Sequence, residues 1–75
     1  MRLYEFIEEM IEDEQDIAII SKETTVFNGI ALDAYKERKD NLGKYWKAKI
    51  NIVKSAYDIQ TSYLAIILDD RYIMD

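Results

Sequence analysis

The chain has no cysteine, no histidine and no proline, and only two glycines among its 75 residues. Without cysteine there is no disulfide framework, no thiolate metal site and no activated thiol. Without histidine the commonest general base is missing, so Ser21, Ser55 and Ser62 have no evident base to activate them. Gly29 and Gly43 are too few for a phosphate-cradling loop or a dinucleotide-binding glycine pattern. The calcium-loop spacing Asp-x-Asp-x-Asp-Gly is absent as well. These absences predict a protein that is not an enzyme and that carries neither cofactor nor metal. The longest uncharged stretch, Ile59 to Leu68, is ten residues, against the roughly 20 apolar residues a membrane-spanning helix requires. The start carries Glu5, Glu8 and Glu9 where a secretory signal is basic and then apolar. We therefore expect a soluble, cytoplasmic protein that does not span a membrane.

What is present points to a folded chain. A hydrophobic content of 49% with one Trp, six Tyr and two Phe is too rich for disorder. The length suits one domain, residues 1–75, with a thin core. Charge is unevenly spread. The overall balance is −5, but residues 1–23 carry −6 and residues 36–54 carry +5. Such polarity along the sequence steers partners and sets association rates.

Leu3, Phe6, Ile7, Met10 and Ile11 fall at helical spacing with Glu5, Glu8, Glu9 and Glu12 on the other side, which predicts a helix over 2–13. Asp16 to Ser21 has Ile at alternate positions and reads as a strand. Lys22 to Thr24 is a turn of hairpin length, and Thr25 to Ile30 the returning strand. Gly29 inside it points to a bulge or a close backbone approach. Asn28-Gly29 as a tight hairpin turn is the second choice. A second helix is expected from about Leu32 to Leu42, closed by Gly43. Strands over 48–56 and 63–68, joined by a turn at 58–62, form a second hairpin, with a tail at 69–75. The fold class is thus α+β: an α-β-β-α-β-β domain whose four-stranded, mainly antiparallel sheet carries its helices on one face. The alternative is an all-α helical hairpin with one long helix from 31 to 68.

This succession of packing and turn motifs resembles a diffuse group of small phage and mobile-element proteins of low-GC Gram-positive bacteria. The residues that carry the resemblance are Leu3 to Ile11, Ile17-Ala18-Ile19, Val26-Phe27-Asn28-Gly29, Ile50-Asn51-Ile52-Val53 and Leu64-Ala65-Ile66. The resemblance brings no functional residue with it. It implies a genomic setting rich in host-directed inhibitors, anti-CRISPR and other anti-defence proteins among them.

Two charged features compete as binding sites. Glu5, Glu8, Glu9, Glu12, Asp13, Glu14 and Asp16 form an acidic series suited to a host protein with a basic surface. Glu5/Glu9 and Glu8/Glu12 stand at i, i+4 and share surface strips of a helix; the bland reading is a solvated helix face. Lys36, Arg38, Lys39, Lys44, Lys47, Lys49 and Lys54 surround Tyr35, Tyr45 and Trp46, a mixture that can hold single-stranded nucleic acid by stacking and phosphate contacts. The bland reading there is core or rim packing beside a helix end. Tyr4, Tyr45, Trp46, Tyr57, Tyr63 and Tyr72 exceed what a thin core absorbs, which favours an interface, a homodimer included. Cross-strand pairing of Tyr57 with Tyr63 is the structural alternative. The expected function is a non-catalytic protein-binding modulator acting through the acidic face. The alternatives are a nucleic-acid-binding accessory protein using residues 36–54, or a self-associating structural protein.

Overall fold

The computed structural model describes residues 1–69 and Arg71. In chain order, α1 spans Leu3–Glu5 and runs on as a π-helical turn through Phe6–Met10. Then come β1 (Asp16–Ser21), β2 (Thr24–Ile30), α2 (Ala31–Lys36), β3 (Ile50–Tyr57) and β4 (Ser62–Leu68). The α-β-β-α-β-β order is the one expected, and the all-helical alternative is excluded. The four strands form one mixed sheet in the order β2-β1-β4-β3. Each hairpin is antiparallel, and the two join through a parallel pairing of β1 with β4, Ile17 beside Leu64 through Ile20 beside Ile67.

Hydrophobicity explains that order. The inner strands are the two apolar runs: Ile17, Ala18 and Ile19 in β1, and Ala65, Ile66 and Leu68 in β4, are all buried. A strand flanked on both sides needs no polar edge, and parallel strands read as near-continuous apolar runs. The more polar β2 and β3 take the edges. Each edge strand carries a bulge, at Val26 and at Asn51, where the register shifts by one residue. Bulges of this kind twist an edge away from unwanted pairing. The bulge at Val26 also lets both Val26 and Phe27 pack on the core.

One sheet face carries the core. Ile17, Ile19, Ile66 and Leu68 meet Leu3 and Ile7 from α1, Ala31 and Ala34 from α2, and Leu42 and Ala48 from the connection that follows. The opposite face presents Ala18, Ile20, Ala65 and Ile67, flanked by Lys54 and Ile52; Ile52 is 51% exposed. Among the described residues no helix is long and apolar enough to cross a membrane.

Both helices are shorter than the sequence predicts. α1 and its π turn end at Met10, because Ile11 is extended (φ −127°, ψ 159°). The wider π turn carries Met10 off the inward stripe, leaving it 60% exposed while Leu3 and Ile7 are buried. Glu12 therefore stands outside the helix, and the Glu8/Glu12 strip is not formed. α2 stops at Lys36 rather than Leu42. On its inward side Ala31, Ala34 and Tyr35 are followed by Arg38 before Leu42 is reached, and Leu42 is already fully buried from a turn, so a longer helix would gain no apolar burial. Gly43 is not a left-handed helix cap, since no glycine has positive φ. Residues 37–47 form successive turns instead, anchored by the fully buried Leu42.

The first hairpin closes on two residues, Lys22 (φ 52°) and Glu23 (φ 65°), with Thr24 already paired to Ser21. Two consecutive left-handed residues match the twist of the flanking strands. Asn28-Gly29 is not a turn; it lies within β2. There Gly29 admits the Phe27 ring, whose Cζ would stand 3.2 Å from an added Cβ. The tyrosine pairing expected in the second hairpin does not occur: Tyr57 faces Ser62 and Tyr63 faces Ala56, so the two rings lie on opposite faces. Of the tail expected at 69–75, residues 70 and 72–75, Tyr72 among them, lie outside the described residues.

Candidate functional site

Two main-chain hydrogen bonds create the most telling concavity. Leu32 N–H donates to the Asp13 carbonyl (2.9 Å) and Ala31 N–H to the Gln15 carbonyl (2.9 Å). They hold the loop after α1 against the start of α2 and leave a groove of about 310 Å³ between them. Ile7, Leu32 and Tyr35 supply its apolar lining, while Glu8 and Asp13 stand at its rim. Ile7 points inward, so its neighbour Glu8 falls at the surface; Leu32 and Tyr35 share a side of α2 by their i, i+3 spacing.

The other members of the acidic series are dispersed. Glu9, Glu12 and Glu14 are exposed on the same helix and loop. Glu5 is occupied locally, its Oε1 accepting the Arg2 backbone N–H at 2.9 Å. Asp16, at the start of β1, lies on the sheet face opposite the core, beside Tyr63, Thr61 and Asp58. The structure thus brings together Glu8 and Asp13 and separates both from Asp16. Among the described residues no three carboxylates converge on a common metal position. Leu32 and Tyr35 were not among the expected protein-binding residues. Their helical spacing is visible in the sequence, but the loop they face is not.

The basic segment also gathers partly. Arg38, Lys39, Trp46 and Lys47 line a second groove, of about 300 Å³, over Gly43. The Arg38 guanidinium stacks 3.9 Å from the centre of the Tyr35 ring and donates from Nη1 to the Tyr35 carbonyl at 2.8 Å. Tyr35 and Trp46 meet edge to face, with ring centroids 6.3 Å apart. Lys36 is exposed at the end of α2, Lys44 lies over the Tyr45 ring at 5.2 Å, and Lys49 pairs across from Arg2 near the start of β3. Lys54 is paired with Ala65 on the sheet face opposite the core. Tyr35 is shared: it lines the acidic groove, and the arginine stacked on it lines the basic one.

The chain matches no family model, no curated protein and no solved structure.

A third exposed feature is the β3–β4 turn, where Ile59 is 100% and Tyr57 85% exposed. Asp58 holds the turn. Its Oδ1 accepts the backbone N–H groups of Thr61 (2.8 Å) and Gln60 (2.9 Å). The Gln60 and Thr61 bonds favour the carboxylate and hold Asp58 below its ordinary value of 3.8. The stabilisation it gives is thus present above pH 3.8 and lost as pH falls through the lower folded value. The Thr61 amide resonance is expected to titrate below pH 3.8 in the native protein and to lose that titration in Asp58→Asn. A Thr61 midpoint at or above 3.8 would contradict the assignment.

Proposed function

We propose that the protein is a non-catalytic binding module that docks onto a basic surface of a partner protein through the groove between α1 and α2. The observation that carries this reading is the pairing of Glu8 and Asp13 at the rim with Ile7, Leu32 and Tyr35 inside. Such a recess suits an inserted Arg or Lys side chain: the methylene stem packs on the apolar lining and the cationic head meets the carboxylates. Tyr and Arg are also the side chains most often found as interface anchors. Exposed Glu9, Glu12 and Glu14 extend the field around the recess and speed encounter with a basic partner. On this reading the partner is a host protein and the module its modulator.

The test is a charge reversal. Glu8→Lys with Asp13→Lys is expected to slow association with a partner recovered from nuclease-treated host lysate by at least about tenfold, and to flatten its salt dependence. Glu23→Lys, in the remote β1–β2 turn, serves as the control and is expected to leave binding near that of the native protein. Unchanged association in the double reversal would remove the acidic groove from the mechanism.

A further inference from the structure

We propose that the groove over Gly43 is a second, separate binding site, and that its ligand is single-stranded nucleic acid. Phosphates would lie against Arg38, Lys39 and Lys47, and a base against the indole of Trp46. The site does not depend on the acidic-groove reading.

The first argument is composition against background. The chain has a net charge of −5, yet among the described residues this groove is lined by three cations and no carboxylate. Arg2 adds a fourth cation at its margin, its Nη1 donating to the Lys47 carbonyl at 2.6 Å. The acids nearest in sequence are Glu37 and Asp40. Glu37 accepts a hydrogen bond from Asn41 Nδ2 at 2.5 Å, and neither acid lines the groove.

The second argument is preorganisation. Arg38 is held by its stacking on Tyr35 and by its bond to the Tyr35 carbonyl, which uses one of its five N–H donors. Trp46 is fixed by the edge-to-face contact with Tyr35 and by its backbone N–H donating to the Leu42 carbonyl at 2.9 Å. A fixed guanidinium beside a fixed indole loses little freedom when a ligand arrives. Stacking on aromatics between basic side chains is how sequence-tolerant single-strand binders work.

The third argument is shape. Gly43 has no side chain, so the groove floor is open. A Cβ there would meet the Asp40 and Lys39 carbonyl oxygens at only 3.5 and 3.6 Å, ordinary contact distances. The position therefore accepts a Cβ without strain, and a larger side chain there is expected to narrow the groove. A duplex fits poorly, because its bases are already stacked within the helix, and α2 has only six residues to enter a major groove.

Trp46 is the sole tryptophan, so its emission reports on this site alone. Titration of the full chain with a short oligothymidylate at low salt is expected to quench that emission. Log affinity is expected to fall against log salt with a slope of about −2, three phosphates at roughly 0.7 each. Lys39→Gln with Lys47→Gln, both exposed positions, is expected to reduce the slope to about −0.7 and weaken low-salt binding by on the order of tenfold or more. Gly43→Leu, which leaves the charge untouched, is expected to abolish the quenching. Glu8→Lys with Asp13→Lys is expected to retain or strengthen oligonucleotide binding, so failure of one reading is distinguishable from failure of the other. The proposal is overturned if no quenching or anisotropy change appears at low salt. Equal affinity for a duplex, or indifference to both the lysine pair and Gly43→Leu, overturns it too.

Discussion

Leu42→Ala is expected to lower the free energy of unfolding by about 2–5 kcal/mol, the range for truncating a fully buried leucine. A domain of this length has a total of only about 4–11 kcal/mol, so the variant sits near the limit of folding. Leu42 is fully buried although it belongs to neither helix nor strand. Its backbone ties together the turns around it: its N–H donates to the Glu37 carbonyl (3.1 Å), and its carbonyl accepts from Tyr45 (3.0 Å) and Trp46 (2.9 Å). The side chain is thus the peg that holds residues 37–47 against the core, and the basic groove is built on that segment. Denaturant unfolding followed by Trp46 emission measures the loss. A second consequence separates the local role from general destabilisation: at temperatures where the variant remains folded, Trp46 should be more accessible to a neutral quencher. A loss under about 1 kcal/mol, the level of an exposed substitution, would mean that the segment packs independently of this residue.

Ile19→Ala is expected to be as damaging, again about 2–5 kcal/mol, whereas Ile52→Ala should stay within about 1 kcal/mol. Ile19 is fully buried in β1, level with Phe27 on one neighbour and Ile66 on the other. Removing it leaves a cavity at the middle of the sheet, where strands on both sides limit collapse. Ile52 is half exposed, in an edge strand and on the face opposite the core, so its truncation opens no enclosed cavity. The pair tests the two-faced character of the sheet, with midpoint shifts in one denaturation series. Equal losses would show that the second face is covered in solution, for instance by another copy of the chain.

The strands were legible because their signal is local. Ile17-x-Ile19 alternates at the period of a pleat, and Lys22-Glu23 separates the first hairpin's runs by the right length; Ile50-x-Ile52 reads the same way, although the bulge at Asn51 puts those two on opposite faces. The helix ends were not legible. Met10 and Ile11 extend the apolar stripe of α1 on paper; the π turn carries Met10 off it, and Ile11 reaches the core from extended backbone instead. Tertiary contact decided the second helix too, since Leu42 is buried from a turn as effectively as it would be from a helix. The parallel pairing of β1 with β4 has no sequence signature at all, because each strand is satisfied locally by its hairpin partner. The basic groove was partly readable: Arg38, Lys39, Trp46 and Lys47 are neighbours in the chain. The acidic groove needs residues 7–13 and 31–35 side by side, and that depends on the bonds from Leu32 to Asp13 and from Ala31 to Gln15.

The parallel seam at the centre of the sheet also sets an order of events. Each hairpin closes a loop of a few residues and can form in microseconds. The seam joins Ile17 to Leu64, so its two sides are separated by most of the chain. Closing that distance brings an entropy loss that no contact offsets until β1 and β4 are aligned. Folding should therefore be slower than for a helical bundle of the same length, with docking of two preformed hairpins as its limiting step. Until they dock, Ile19 and Ile66 remain in water, and the chain is most open to aggregation and proteolysis during that interval.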